Sequence, residues 1–397
     1  MSHDHDFGPG SWSADLGGSH VVFGAGVLNR LGELALDLPG VQAPPQRALL
    51  VTDPGLRAAG HARRAREALE ASGLAVAIFD EVEENPTTAH VERGTEAAHR
   101  HGTDLLVGLG GGSAMDCCKG INFLLTQGGA MEDYWGVGKA RRPMLPSIGV
   151  PTTGGTGSEA QRFALVSRAS DHRKMACGDR KARFRTVVLD PDLLQTVPRH
   201  VATVTGLDAI SHAVESHASR ARSPLSQMYS REAFRRLDRA FATYLADPTD
   251  TDARADMLLG AHLGGAAIEA SMLGAAHSLA NPLTARYDVT HGVAVGLMLP
   301  HVVRFNGSAA SADYADLLGG EPTDAAERLA DRLQQLATLA EVPPDLASCG
   351  VDRAELPALG LRAAEQWTAQ FNPREVDAAE LTALYESAFE STILTPA

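Results

Sequence analysis

Residues 105–116 read LLVGLGGGSAMD: an apolar run from Leu105 to Leu109 passes through Gly110, Gly111 and Gly112 into Ser113 and a helix-forming stretch that begins near Ala114. A strand that turns on glycines into a helix is how a βαβ unit opens. Bare N–H groups at the start of such a helix bind phosphate, and glycine lets the anion come close. The spacing is not GxGxxG, so a pyrophosphate site and a plain tight turn both stand open here. Outward from this turn the same alternation continues. Further candidate strands are Arg47 to Thr52, Ala75 to Phe79, Ser147 to Val150 and Thr186 to Leu189, with helical patterns such as Gly60 to Gly73 and Thr88 to His101 between them. The pattern predicts a parallel sheet covered by helices, a Rossmann-like α/β domain.

After Pro191 the sequence changes character, to long Ala- and Leu-rich periodic segments with breaks expected at Pro224, Pro248, Pro282, Pro343 and Pro357. The second half reads as all helix, and the division expected is 1–195 for the α/β domain and 196–397 for the helical one. Length agrees with two domains, because single cores seldom grow beyond roughly 250 to 300 residues, and the chain has 397. Apolar residues make up 44% and charged residues 21%, an ordinary globular mix. A net charge of −14 excludes a typical nucleic-acid binder, which needs a basic surface to displace counterions. Cys117, Cys118, Cys177 and Cys349 form no CxxC pattern, so a reduced cytoplasmic protein is expected. The opening MSHDHDFGPGSWSADLGG is acidic and histidine-rich where a secretory signal needs a basic start and an apolar core, and it reads as a loose polar arm. Met257 to Leu283 is interrupted by His262, Glu269 and His277, and reads as a buried helix rather than a membrane span.

The chemistry sits in three places. Pro151 to Glu159, PTTGGTGSE, follows another strand and adds hydroxyl donors to bendable backbone, so two such loops favour a nucleotide cleft. Asp53 stands directly after the strand that ends at Thr52. There it either accepts hydrogen bonds from a ribose or simply forms an Asp53-Pro54-Gly55 turn, and its position before the glycine loop, rather than roughly 20 residues after it, favours the turn. In the second half, Asp208 and His212 are four apart in LDAISHAVE, so on a helix both reach one cation. With His277, in a small-residue segment, and His291, beside Gly292, they offer three imidazoles and a carboxylate, a set that suits iron or zinc. His217, His262 and His301 are assigned to ordinary core or surface roles.

These residues carry a resemblance. The chain resembles the iron-containing, group III alcohol dehydrogenases from about Val22 to about Asn306, in NPT at Asn85 to Thr87, GGGSAMD at Gly110 to Asp116 and PTTGGTGSEAQRF at Pro151 to Phe163. Further matches are Lys174-Met175, Asp190-Pro191, GLDAISHAVE at Gly206 to Glu215 and AHSLANPLTARYDVTHG at Ala276 to Gly292. The resemblance implies a dehydroquinate synthase-like architecture, NAD bound by the first domain, a divalent metal (Fe2+, with Zn2+ or another ion as substitute) held by the second, and a small alcohol or aldehyde between them. It implies Asp208, His212, His277 and His291 as ligands. Its dinucleotide contacts fall on Asp53, Asn85, Gly111, Gly112, Ser113, Asp116, Thr152, Thr153, Thr156 and Lys174, which moves Asp53 from turn to ribose ligand. Phe163 falls beside the nicotinamide and the substrate. The expected catalytic group is therefore His277, Asn281, Lys174 and Phe163.

Two positions depart from the family's pattern. Asn281 stands where the family often has a non-ligand histidine, and Thr203 where it usually has an aliphatic residue. An amide does not titrate near neutrality, so Asn281 is expected to orient substrate or water rather than carry a proton, the bland alternative being a helix-breaking residue before Pro282. His217 is one substitute proton carrier. Arg162, Arg168 and Lys174 leave room for a small oxo acid or semialdehyde as substrate. A lyase of the dehydroquinate synthase type is the rival, though its phosphate-bearing substrate needs a basic cluster. Membrane and nucleic-acid partners are not expected; a homodimer or higher homo-oligomer is.

Overall fold

The computed structural model describes residues 10–171 and 173–390. The chain divides into two compact units between Val197 and Pro198.

The first unit contains strands β1 (Trp12–Leu16), β2 (Ser19–Phe23), β3 (Arg47–Val51), β4 (Ala75–Phe79), β5 (Leu105–Gly110), β6 (Gly136–Val137), β7 (Ser147–Pro151), β8 (Phe163–Ser167), β9 (Lys174–Gly178) and β10 (Thr186–Leu189). Its helices are α1 (Leu31–Leu36), α2 (Pro54–Ala58), α3 (His61–Ala71), α4 (Thr88–His101) and α5 (Gly112–Gln127). Seven strands form one sheet in the order β1-β2-β10-β7-β5-β3-β4, parallel except for the β1–β2 hairpin. Leu49, Leu50, Val107, Leu109, Ile148 and Val188 are fully buried, as expected of a parallel sheet covered on both faces. From β3 the chain runs outward to β4, then crosses back to β5 and continues to β7 and β10. The order therefore reverses between β3 and β5, and in open α/β sheets ligands bind outside the carboxyl ends of the strands at such a point. Asp53 follows β3 there, and Gly111 and Gly112 follow β5.

Several expectations need correction. Trp12–Leu16 is no loose arm: it pairs antiparallel with β2 through a two-residue Gly17-Gly18 turn with both φ positive, and Trp12 stacks on Phe23 at 5.4 Å. Residues 1–9 of that arm lie outside the described residues. A second sheet, β6-β9-β8, was not anticipated. Asp53-Pro54-Gly55 is the start of α2, with Asp53 as N-cap and Pro54 in the first turn.

The second unit is helical: α6 (Arg199–Ala218), α7 (Pro224–Ala246), α8 (Thr251–Ala270), α9 (Ala275–Tyr287), α10 (His291–Leu318), α11 (Ala325–Leu339), α12 (Leu356–Ala364) and α13 (Ala378–Phe389). From Gly206 to Ala218 every residue of α6 is buried, with α7, α8 and α10 packed around it. Met257–Leu283 is not one helix; α8 and α9 meet at a bend of 105°, because Ser271–Gly274 breaks the pattern. Among the described residues no single helix is long and apolar enough to cross a membrane. Pro282 does not end α9. An internal proline costs about 3 kcal/mol, but α9 is anchored at two adjacent residues about one turn before it, by Ser278 to Thr368 at 2.7 Å and by the Tyr385 hydroxyl donating to the Leu279 carbonyl at 2.6 Å.

Candidate metal and nucleotide sites

Asp208 sits in the buried middle of α6, and three imidazoles converge on its Oδ1: His212 Nε2 at 3.2 Å, His277 Nε2 at 3.4 Å and His291 Nε2 at 3.8 Å. The one-turn spacing on α6 supplies His212, the first turn of α9 supplies His277, and the first residue of α10 supplies His291. The ligand atoms of Asp208, His277 and His291 all lie within 4.8 Å of one another. His212 is outside that mutual group, yet it is close to the carboxylate and its ring stacks on His277 at 5.1 Å. α10 reaches this position because residue 292 is glycine: a Cβ there would stand 2.0 Å from the Val204 carbonyl oxygen, one turn before Asp208.

Asp208 Oδ1 and His277 Nε2 are buried, and neither has a hydrogen bond of good geometry among the described residues. Buried polar atoms in native proteins are almost always satisfied, so inward-facing lone pairs on three imidazoles and a carboxylate fit a cation that completes them. Burial alone would raise the Asp208 carboxyl, but the surrounding histidines outweigh it and hold the group well below the usual range.

Glu215 completes the arrangement. Its Oε2 accepts from His277 Nδ1 at 2.5 Å and its Oε1 from the Ala276 N–H at 2.7 Å. Fixing the proton on Nδ1 leaves Nε2 as a lone-pair donor toward Asp208, the usual way a carboxylate orients a metal-ligating histidine. Burial lowers His277, but Glu215 and Asp208 overcome it and, without a cation, raise it to about 9. Glu215 was not among the residues singled out from sequence, although Asp208, His212 and Glu215 fall at i, i+4 and i+7 on one face of α6. Asn281 lies one turn beyond His277 on α9, half-buried, and donates to Gln366 Oε1 at 3.1 Å. His217 is buried elsewhere, with Nδ1 on Ser230 at 2.8 Å and Nε2 on Asp316 at 3.0 Å, and is not available as a proton carrier.

In the first unit the glycine loop and Pro151–Glu159 converge. The Thr152 N–H donates to the Gly110 carbonyl at 3.0 Å. A Cβ on Gly112 would stand 2.9 Å from Thr156, and one on Gly111 would stand 3.6 Å from Thr153. No side chain caps α5 at Gly111, so its first-turn N–H groups, flanked by two threonines, suit a phosphate that a side chain would exclude. Asp53 caps α2 and also faces the glycine loop: Oδ1 accepts from the Leu56 N–H at 3.0 Å, while Oδ2 lies 3.4 Å from where a Gly110 Cβ would be. Asn85, at φ 54, donates its N–H to Ser113 Oγ at 3.3 Å and accepts from Lys174 Nζ at 3.4 Å, so Asn85, Ser113 and Lys174 form one cluster.

Asp116 turns inward instead. Its Oδ1 accepts from Ser158 Oγ at 2.6 Å and pairs with Lys119 at 3.6 Å, and burial raises its carboxyl above the ordinary value. Lys119, also missed from sequence, is 1% exposed and donates to the Ser158 carbonyl and hydroxyl and to the Phe163 carbonyl at 2.7, 2.8 and 2.7 Å. It ties α5 to the threonine loop and to the start of β8, which sets where Phe163 stands. Arg168 is committed to Asp171 and Glu132 and lies over Trp135 at 5.6 Å.

Comparison with known proteins agrees over both units. Residues 18–191 match the iron-containing alcohol dehydrogenase family, and residues 202–389 match the C-terminal domain of the Fe-containing alcohol dehydrogenase family. Alcohol dehydrogenase 4 of Schizosaccharomyces pombe is 34% identical over 348 residues, 86% of this chain and 82% of that protein. The 1,3-propanediol dehydrogenase of Klebsiella pneumoniae is 33% identical over 377 residues, 92% of this chain and 96% of that protein. A crystal structure of a 1,3-propanediol oxidoreductase superposes with a TM-score of 0.89 at 31% identity, covering 96% of this chain and 99% of that one.

Proposed function

The chain belongs to the iron-containing alcohol dehydrogenase family, and from that premise we propose that it is an NAD-dependent, divalent-metal-dependent alcohol dehydrogenase or aldehyde reductase that moves hydride between a small alcohol and nicotinamide. The observation that carries this reading is Asp208 Oδ1, buried and without a hydrogen bond of good geometry among the described residues, facing three imidazole nitrogens.

A divalent ion held by Asp208, His212, His277 and His291 supplies Lewis acidity to an alcohol or carbonyl oxygen, and nicotinamide supplies the hydride chemistry. The protein's residues bind and orient. Glu215 keeps His277 in the tautomer that presents Nε2. The start of α5, with Thr153 and Thr156, holds the pyrophosphate, and Asp53 accepts ribose hydroxyls through the oxygen not used to cap α2. A 2′-phosphate would meet that carboxylate's charge, so NAD is preferred over NADP. Lys174 and Asn85 act as a pair at the same loop, and Phe163, placed by Lys119, flanks the nicotinamide. Asn281 orients the substrate by hydrogen bonding, and the proton leaves through water or a ribose hydroxyl.

Three nitrogens and one oxygen suit Fe2+, with Zn2+ as a substitute. The four cysteines are free thiols, which fits a reducing cytoplasm, and the expected assembly is a homodimer or larger homo-oligomer. The test follows NADH absorbance across primary alcohols, diols and aldehydes, with Fe2+ and then Zn2+ restored to metal-free enzyme. Turnover that depends on both metal and NAD supports the proposal, and tight nicotinamide binding without turnover on any of these substrates would overturn it.

A further inference from the structure

α9 delivers His277 from its first turn, and the residue before that turn, Gly274, has no side chain with which to cap it. The first two N–H groups of the helix are taken by side chains from elsewhere: Ala276 N–H donates to Glu215 Oε1 at 2.7 Å, and Ala275 N–H donates to Asn372 Oδ1 at 3.3 Å. The two acceptors stand side by side, since a Cβ on Gly274 would lie 3.1 Å from each. Asn372 presents its oxygen in a fixed direction. Its Nδ2 donates to the Arg374 carbonyl at 2.7 Å, and a carbonyl only accepts, so the NH2 end faces Arg374 and the oxygen faces α9. A reciprocal pair with Asn306 of α10, at 2.7 and 3.0 Å, uses the remaining donor and the second lone pair. The amide is thus fully engaged, and Asn372 and Asn306 are 1% and 2% exposed.

The backbone at Asn372 is held as well. Pro373 behind it favours the extended conformation seen, φ −58 and ψ 139, and the Phe371 carbonyl accepts from the Arg220 N–H, just past the end of α6, at 2.8 Å. Two adjacent residues therefore join α6, which carries Asp208, His212 and Glu215, to α9, which carries His277, and to α10, which begins at His291. We propose that Asn372 is a positioning residue of the metal site: it caps α9 from outside the helix, and together with Glu215 it sets where His277 Nε2 stands. The inference rests on the metal-site reading and adds to it a residue 95 positions beyond His277 that touches no ligand directly. Ala275 lies about 3 Å before His277 along the helix axis, so a displaced first turn carries the imidazole with it. Metal–ligand distances tolerate only about 0.2 Å. Losing the Asn372 cap should therefore cost about tenfold in metal affinity, the lower end of what outer partners of metal-ligating histidines contribute.

The experiment measures Zn2+ affinity by chelator competition in the full-length protein, with thermal unfolding and hydrogen exchange at the start of α9 followed in its metal-free form. Wild type is compared with Asn372→Ala, Asn372→Asp and Tyr385→Phe. The last removes a different buried bond to α9, the one to the Leu279 carbonyl, and is the control for a purely structural clasp. Asn372→Ala should bind Zn2+ about tenfold more weakly and exchange faster at the first turn of α9. Asn372→Asp keeps an acceptor for the Ala275 N–H and gives up a donor, so it should unfold at lower temperature yet hold Zn2+ within about threefold of wild type. Tyr385→Phe should likewise lower the unfolding temperature and leave Zn2+ affinity within about threefold. Zn2+ affinity unchanged in Asn372→Ala, an equal loss in Tyr385→Phe, or an Asn372→Asp no better than Asn372→Ala would overturn the inference and leave the metal site standing. A wild type that binds no Zn2+ would overturn both.

Discussion

Replacing Glu215 by Gln changes one oxygen to an NH2 group and should cost the metal far more than the fold. In the wild type one carboxylate oxygen takes the Ala276 N–H at 2.7 Å and the other takes His277 Nδ1–H at 2.5 Å. Glutamine has a single acceptor. If it stays on Ala276, its NH2 faces His277 Nδ1, which must accept, so the imidazole proton moves to Nε2, the atom 3.4 Å from Asp208 Oδ1. That proton occupies the lone pair a metal needs. If the amide turns the other way, a buried backbone N–H loses its partner, at about 1–3 kcal/mol. Either route predicts a loss of about 10- to 100-fold in metal affinity, or about 1.4–2.8 kcal/mol. In the metal-free protein the shifted proton can bond to Asp208, so folding stability should change by less than ~1 kcal/mol. Chelator competition with Zn2+ or Fe2+ measures the first quantity and thermal unfolding of metal-free protein the second. Metal affinity within about threefold of wild type would refute the orienting role of Glu215.

Asp53→Asn keeps the α2 cap but removes the charge, and should raise NADP use relative to NAD by about tenfold or more in kcat/KM; equal use of both cofactors by the wild type would return Asp53 to a purely capping role. Gly292→Ala puts a Cβ 2.0 Å from the Val204 carbonyl oxygen, so α10 and His291 must move, and metal affinity should fall although no ligand is changed, as isothermal titration can show. Lys119→Met leaves buried Asp116 without its cation and should lower the unfolding free energy by about 3–5 kcal/mol in urea. Burial pushes His217 and His301 from the ordinary 6.5 down to about 4. Between those values the unfolded chain binds more protons, so stability should be full above pH 6.5 and fall as pH drops toward 4, by up to about 3 kcal/mol per site; His301→Gln should flatten the profile of unfolding midpoint against pH.

The parts of the fold legible in the sequence are those with a strong local signal. β3, β5, β7 and β10 are apolar runs buried almost throughout on both faces, and β4 is an equally apolar run at the sheet edge; such strands announce themselves. The β1–β2 hairpin hides because its strands are short, β1 alternates between half-buried and exposed residues, and its Gly17-Gly18 turn lies among Asp, Ser and His. β8 and β9 pair Phe163 with Gly178 and Ser167 with Lys174, and each carries only a short apolar run, Phe163–Val166 and Met175–Cys177, between polar flanks. The bend between α8 and α9 is masked by Met272 and Leu273 within the break. At the metal site, Asp208 and His212 show through helical spacing, whereas His277 and His291 come from other helices and were picked out by their small neighbours and by family pattern. Glu215 and Lys119 were missed for one reason: an acid or a lysine on a helix reads as a solvated surface, and their partners are distant in sequence.

The most direct test of the central claim is metal content and NAD-dependent alcohol oxidation measured together, in wild type and in His277→Ala, after complete chelation and stepwise return of Fe2+. The wild type should be inactive without metal and regain NADH production in proportion to bound ion up to one per chain, while His277→Ala should bind no stoichiometric metal and stay inactive. Full turnover by metal-free wild type, or stoichiometric metal retained by His277→Ala, would contradict the assignment.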